Sequence, residues 1–179
     1  MSPDALTADL RAVLASWPAP DAAQAALRDE YVAFVDEHDD AVRRACVPGH
    51  ITASALVLSA DRREVLLTLH AKIGRWLQMG GHCEGEDATL RDAALREGTE
   101  ESGIPDLVIG AAPVRLDKHR VGCHGGSWHL DVQYVAVAPA DAEHVISDES
   151  LDLAWFPVDA LPADSDDALR ALVATALRG

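Results

Sequence analysis

Glu97, Glu100 and Glu101 fall within residues 88–102, the segment of the chain with the clearest helical periodicity, and their i,i+3 and i,i+4 spacing puts three carboxylates on one helix face. Leu90, Ala93, Ala94 and Leu95 occupy an apolar side, and Gly103 supplies the C-terminal stop. Such a helix is committed on both sides. Its apolar stripe needs another layer to cover it, and its mutually repelling carboxylates need either solvent or a hard divalent cation held through oxygen. Just upstream stands Gly80-Gly81-His82-Cys83-Glu84-Gly85-Glu86-Asp87. Two adjacent glycines permit a sharp turn there and offer a backbone carbonyl to a metal. Arg96 is four residues from Glu100 and within reach of Asp87, a pairing that would pin the glycine-rich stretch to the helix.

The pattern on either side of this helix predicts what covers it. Leu6, Leu10, Val13, Leu14 and Trp17 recur at helical spacing over 3–17, as do Leu27, Tyr31, Phe34 and Val35 over 21–38, and Val47-Pro48-Gly49 then marks a boundary. From Ile51 the period changes. Residues 51–59 and 64–70 read as strands joined by a hairpin at 60–63, and Trp76-Leu77-Gln78 as a short strand. Residues 107–116 and 128–138 read as two more strands joined by a glycine-rich loop over 121–127, 151–156 as a last strand and 166–177 as a last helix. Irregular alternation of strands and helices around one long helix predicts an α/β fold with a mixed sheet. Residues 1–48 form a helical extension and 49–179 the main domain.

The residues at 81–104 resemble the box of the Nudix (MutT-like) hydrolase family, G-x5-E-x7-R-E-U-x-E-E-x-G-U, where U is bulky and aliphatic. Gly81 matches the first glycine, Arg96-Glu97 the R-E, Glu100-Glu101 the E-E and Gly103-Ile104 the closing pair. The sequence departs from the pattern at three points: Asp87 replaces the first glutamate, eight residues instead of seven precede Arg96, and Gly98 replaces an aliphatic residue. The likeness extends over 49–179, with Trp76-Leu77-Gln78 resembling the strand that leads into the box and Glu149 followed by Trp155-Phe156-Pro157 its closing strand. It implies an α/β/α sandwich and a pyrophosphohydrolase, dependent on Mg²⁺ or Mn²⁺, that acts on a nucleoside diphosphate linked to another group. Glu97, Glu100, Glu101 and the Gly81 carbonyl would hold the metal, and a metal-bound water would attack phosphorus. Arg96 and Asp87 would support the box. The general base is Glu100 within the box or Glu149 in a late loop.

Other residues are candidates for contact with a small nucleotide. Lys72 and Arg75 precede the box, Arg115, Lys118 and Arg120 follow it, and His82 lies inside it. Strict alternation puts His129, Asp131 and Gln133 on one face of their strand and Trp128, Leu130, Val132 and Tyr134 on the other. If the preceding strand pairs with this one, Arg115, Asp117 and His119 line up opposite the polar face as a pocket wall. A solvent-facing surface, or a second metal site from His119, His124, His129 and Asp131, are the competing readings. His50, Thr52 and Ser54 likewise share one strand face. Cys83 has no base at a defined spacing and reads as a small buried side chain.

The chain carries 15 Lys+Arg against 30 Asp+Glu, a formal charge of -15. This excess argues against a nucleic-acid partner or a polybasic membrane contact. It is concentrated in 1–45, 81–104 and 140–179, while 46–80 and 105–139 are slightly basic. Met1–Leu10 holds no basic leader pattern, no run of 18 apolar residues occurs, and three distant cysteines form no finger spacing, so the expectation is a cytoplasmic protein. The two N-terminal helices carry no matched motif. They pack on the same core, cap the pocket or bury a homodimer interface, and packing is the simplest of these. The rival readings are a non-hydrolytic nucleotide-binding sensor on the same fold, which would have no need of an intact carboxylate face, and an isomerase, which would need a differently placed Cys and Glu.

Overall fold

A computed structural model describes residues 5–122, 126–146 and 150–178. The elements run α1 (Ala5–Ser16), α2 (Ala22–Glu37), β1 (Gly49–Leu58), β2 (Glu64–His70), β3 (Trp76–Leu77), β4 (Met79–His82), α3 (Leu90–Ser102), β5 (Val108–Ile109), β6 (Arg115–Val121), β7 (Ser127–Val137), β8 (Ser150–Pro157) and α4 (Asp167–Ala176). Side-chain caps open three of the helices. Asp21, Thr89 and Asp166 each accept a hydrogen bond from a first-turn N–H of α2, α3 and α4, and Gly103 closes α3 at a φ of 65°.

β1 is buried from end to end and organises the sheet. On one side it pairs in parallel with β7 from Gly49↔Trp128 to Leu58↔Val137. Its other side is divided: β2 pairs with the C-terminal end at Val57↔Leu66, and β4 with the N-terminal half from Thr52↔His82 to Ala55↔Met79. β6 and β5 extend the sheet beyond β7, while β8 and β3 flank β2, all antiparallel. The result is a mixed, curled sheet.

Alternation along β1 separates two cores. Ile51, Ala53, Ala55 and Val57 face Leu90, Ala93 and Ala94 of α3, together with Leu10, Leu14, Tyr31 and Val35 of α1 and α2. Leu56 and Leu58 face the other way, joining Val65 and Leu67 of β2 and Leu169, Leu172 and Val173 of α4. This is the expected α/β/α sandwich, in which each fully buried leucine contributes about 2 kcal/mol relative to exposure. Residues of α1 and α2 belong to the same core as the sheet. Their polar groups also bind its backbone: Asp9 Oδ2 accepts from the Leu90 N–H at the start of α3 (2.8 Å), and Trp17 Nε1 donates to the Pro113 carbonyl (2.7 Å). Gln24 pairs with both backbone groups of Leu116 on β6 (3.0 and 2.8 Å), and the Tyr31 hydroxyl is shared between the carbonyls of Asp117 (2.6 Å) and Asp131 (3.0 Å). Edge strand β6 is thereby covered by a helix.

Three expectations change. The strand expected over 107–116 is two strands, because the chain bends between Ile109 and Arg115, where Pro113 has no N–H to give a ladder. The double glycine is not a turn: Gly80 and Gly81 lie inside β4, opposite Ser54 and Ala53. Their missing side chains serve close approach, since a Cβ at Gly80 would lie 2.4 Å from Ser54 Cβ and one at Gly81 2.7 Å from Glu97 Oε1. Gly98, unexplained by sequence, sits where α3 crosses β1, and a Cβ there would meet Ala55 Cβ at 3.1 Å. The Nudix pattern's aliphatic residue has no room at this crossing. No helix among the described residues is long and apolar enough to cross a membrane.

Gly98→Leu therefore tests the packing. Helix propensity alone would raise stability by about 1 kcal/mol, but overpacking against a central strand reverses the sign. A net loss of about 2 kcal/mol is expected in urea unfolding.

Candidate active site

α3 positions the carboxylates and β4 receives them. Glu101 Oε1 accepts from the Gly80 N–H (3.2 Å), and the Glu97 carboxylate lies over Gly81. Arg96 organises the rest. Its Nε and Nη2 fork onto Asp87 (3.1 and 3.0 Å), Nη2 also donates to the His82 carbonyl (2.9 Å), and Nη1 donates to Glu97 (2.9 Å) and Glu100 (3.1 Å). Asp87 in turn accepts from the Glu84 N–H (2.7 Å). Helix, strand end and following loop are thus tied by one guanidinium. Its burial opposes the charge, but the bonds to Asp87 and Glu97 outweigh that and hold Arg96 above its ordinary pKa. Burial raises the Glu97 carboxyl, and Arg96 only partly offsets the rise. The carboxylates differ in access: Glu97 is 14% exposed and Glu100 60%.

The opposite face of the same strands carries a polar lattice. Register places His50, His129 and His119 in one row across β1, β7 and β6. His82, Thr52, Asp131 and Asp117 form the next row across β4, β1, β7 and β6. Ser54, Gln133 and Arg115 form a third. Asp131 is buried at the centre, accepting from Thr52 Oγ1 (3.0 Å), Ser54 Oγ (2.6 Å) and Gln133 Nε2 (3.1 Å). Burial raises its pKa against those bonds. Around it stand four imidazoles, with ring centroids 4.7 Å apart for His50 and His129, 4.9 Å for His50 and His82, and 5.4 Å for His119 and His129. Burial, and then the neighbouring imidazoles, push His129 down to about 3. His119 moves up through its bond to Asp117 (2.7 Å).

His82, His119, His129 and Asp131 come together on this lattice, joined by His50, whose place beside His129 depends on the β1–β7 register. Lys72 and Arg75 are exposed on the turn between β2 and β3, without a side-chain hydrogen bond or ion pair to the described box residues. Lys118 and Arg120 point to the other face of β6, over the ring of Trp128 at 5.2 and 5.1 Å, and Lys118 also pairs with Glu30 (2.8 Å). Trp76 packs on Phe156 and Trp17 lies in the core. Glu149 and His124 lie outside the described residues. Among the described residues, the carboxylates of the box are not the tightest donor group: His50, His82 and His129 have ligand atoms all within 4.8 Å of one another. Sequence reading also missed Asp9 and Tyr31, whose signals are single polar residues on amphipathic helices.

Two outcomes follow. Arg96→Ala leaves Asp87 and Glu97, both largely buried, without their counter-charge, so a stability loss of about 3 kcal/mol is expected in denaturant titration. Arg96→Lys recovers only part of it, because an ammonium cannot fork. Cys83 is 9% exposed, and burial followed by the Asp87 charge pushes its thiol up to about 12. Peptide mapping after iodoacetamide treatment at pH 8 should find Cys83 unmodified in the native protein and modified in urea.

Comparison with known proteins agrees with this architecture. No curated protein matches the sequence. Among solved structures, a NUDIX-family hydrolase from Clostridium perfringens is similar at a TM-score of 0.61 and 23% identity, covering 73% of this chain and 98% of that one. An Ap4A hydrolase from C. elegans, solved as a binary complex, gives 0.58 and 20%, covering 72% and 95%. The NUDIX domain of NrtR from Shewanella oneidensis, crystallised with ADP-ribose, gives 0.57 and 19%, covering 82% and 96%. At these identities the likeness is one of fold. The family model described as NUDIX domain matches residues 48–176, and the chain belongs to that family.

Proposed function

We propose that the chain is a pyrophosphohydrolase of nucleoside diphosphates linked to another group, with residues 49–179 as the catalytic unit and 1–48 as a docked extension. The observation that carries this reading is that β4 stands between two chemistries: the carboxylates of α3 lie over Gly80 and Gly81, while the polar lattice begins one residue away at His82. The residues fit a hard cation such as Mg²⁺ or Mn²⁺, because Glu97 and Glu101 meet a strand whose backbone is left bare at Gly81, with Glu100 beside them on the helix. Glu97, Glu100, Glu101 and the Gly81 carbonyl would hold it. A bound divalent cation supplies charge neutralisation of a diphosphate and an acidified water nucleophile.

The chain's own groups do the rest. Arg96 keeps Glu97 and Glu100 oriented and Asp87 in place. Glu100, the most exposed of the three carboxylates to which Arg96 donates, has the access that a base needs. Glu149 is the alternative base. His82, His119, His129 and Asp131 would line the nucleoside side, and Lys72 and Arg75 would meet outer phosphates. ADP-ribose in one similar structure, and the name Ap4A hydrolase carried by another, support the substrate class.

The test is turnover of nucleoside triphosphates, nucleotide sugars including ADP-ribose, and dinucleoside polyphosphates with Mg²⁺ or Mn²⁺. Hydrolysis of at least one is expected, with loss on chelation and in Glu101→Gln. Glu100→Gln should lower kcat by about 100-fold or more if it is the base. An equal loss in Glu149→Gln alone moves the role there. No metal-dependent turnover of any compound favours a binding module instead.

A further inference from the structure

We propose that His50, His82 and His129 form a second metal site, selective for Zn²⁺ and related borderline transition ions and separate from the carboxylate face. The three residues come from three adjacent strands, β1, β4 and β7, and project from the same sheet face. Their ligand atoms all lie within 4.8 Å of one another. A tetrahedral ion with bonds of about 2.1 Å needs its nitrogens about 3.4 Å apart. Small ring rotations close that difference, because the sheet ladder already fixes the three backbones. Imidazole donors suit Zn²⁺, Co²⁺ or Ni²⁺, whereas Mg²⁺ and Mn²⁺ prefer oxygen, so the two donor sets of this chain select different ions.

The surroundings match such a site. His129 Nε2 is buried and has no hydrogen-bond partner among the described residues, a state that a metal bond would relieve. Asp131, in the neighbouring row, places a buried carboxylate beside the added positive charge. His119 stands at the rim with its ring 5.4 Å from that of His129. Its Nδ1 faces Asp117 Oδ2 at 2.7 Å, the carboxylate–imidazole arrangement that orients histidines around metals. His50 is fully buried and forms the base of the site, while His82 and His129 are half-buried at its mouth. Three protein ligands leave one position open, available to water, to His119 or to an oxygen of a bound compound.

The proposal depends on the sheet register and not on hydrolysis, so its test reads metal binding directly. Metal-free full-length chain is titrated with Zn²⁺ by calorimetry and with Co²⁺ by visible absorption. One equivalent of Zn²⁺ is expected, undiminished by excess Mg²⁺, with cobalt ligand-field bands of low coordination number. His129→Asn and His82→Asn should each weaken Zn²⁺ by roughly 100-fold or more and erase the bands. Thermal melts of the apo variants show that they fold, a check that matters because His50 itself lies in the centre of the sheet. The double variant Glu97→Gln/Glu101→Gln should bind Zn²⁺ unchanged. Absence of Zn²⁺ binding in the parent chain, survival of binding in both folded histidine variants, or its loss in the glutamate variant would each overturn the proposal.

Discussion

The parallel ladder between β1 and β7 is the contact from which the rest of the molecule takes its geometry. It joins ten residue pairs across nearly eighty positions of sequence, and its β1 strand is buried on both faces. Side chains on a strand alternate with a period of two, so the register decides more than cohesion. A slip by one residue would turn His50, Thr52 and Ser54 toward α3 and send Ile51, Ala53 and Ala55 to the polar face. The apolar residues that α3 requires on one face hold the polar residues in place on the other. Packing energy in the Leu90 and Ala93 core and polar specificity around Asp131 are therefore two readings of one alignment.

The second dependency is close approach. α3 crosses β1 at Gly98, reaches β4 at Gly80 and Gly81, and lays Glu97 and Glu101 against bare backbone. Three absent side chains bring a charged helix within hydrogen-bond distance of a strand. The resulting like-charge crowding is balanced by Arg96, a planar donor that serves four acceptor residues at once. A shorter or more flexible cation could not hold both Asp87 and the helix carboxylates.

Local periodicity made most of the fold readable in advance. The amphipathic stripes of α1, α2 and α3, the hairpin at 60–63 and the Gly103 stop all follow from spacing that neighbouring residues share. The two-face reading of β7, with Arg115, Asp117 and His119 opposite Gln133, Asp131 and His129, was also accessible from alternation. What could not be read is what depends on long-range register or crossing distance. The meeting of His50 with His82 and His129 requires knowing that β1 lies between β4 and β7. Gly98 has meaning only once Ala55 is beneath it. The double glycine suggested a turn because glycine permits one, whereas the strand used glycine's lack of volume. Lys118 and Arg120 resembled phosphate contacts until strand parity put them over Trp128.

The bonds from α1 and α2 into the sheet also bear on the order in which the molecule is assembled. Asp9 waits for Leu90, Trp17 for Pro113, Gln24 for Leu116, and Tyr31 for Asp117 and Asp131. Helices α1 and α2 are thus made well before the residues that anchor them. Until residues 90–131 exist, the apolar stripes of these two helices have only each other to pack on, a state prone to association and to slow, non-local folding. The high acidity of residues 1–45, which contributes nothing to the carboxylate site, supplies like-charge repulsion between nascent chains during that interval.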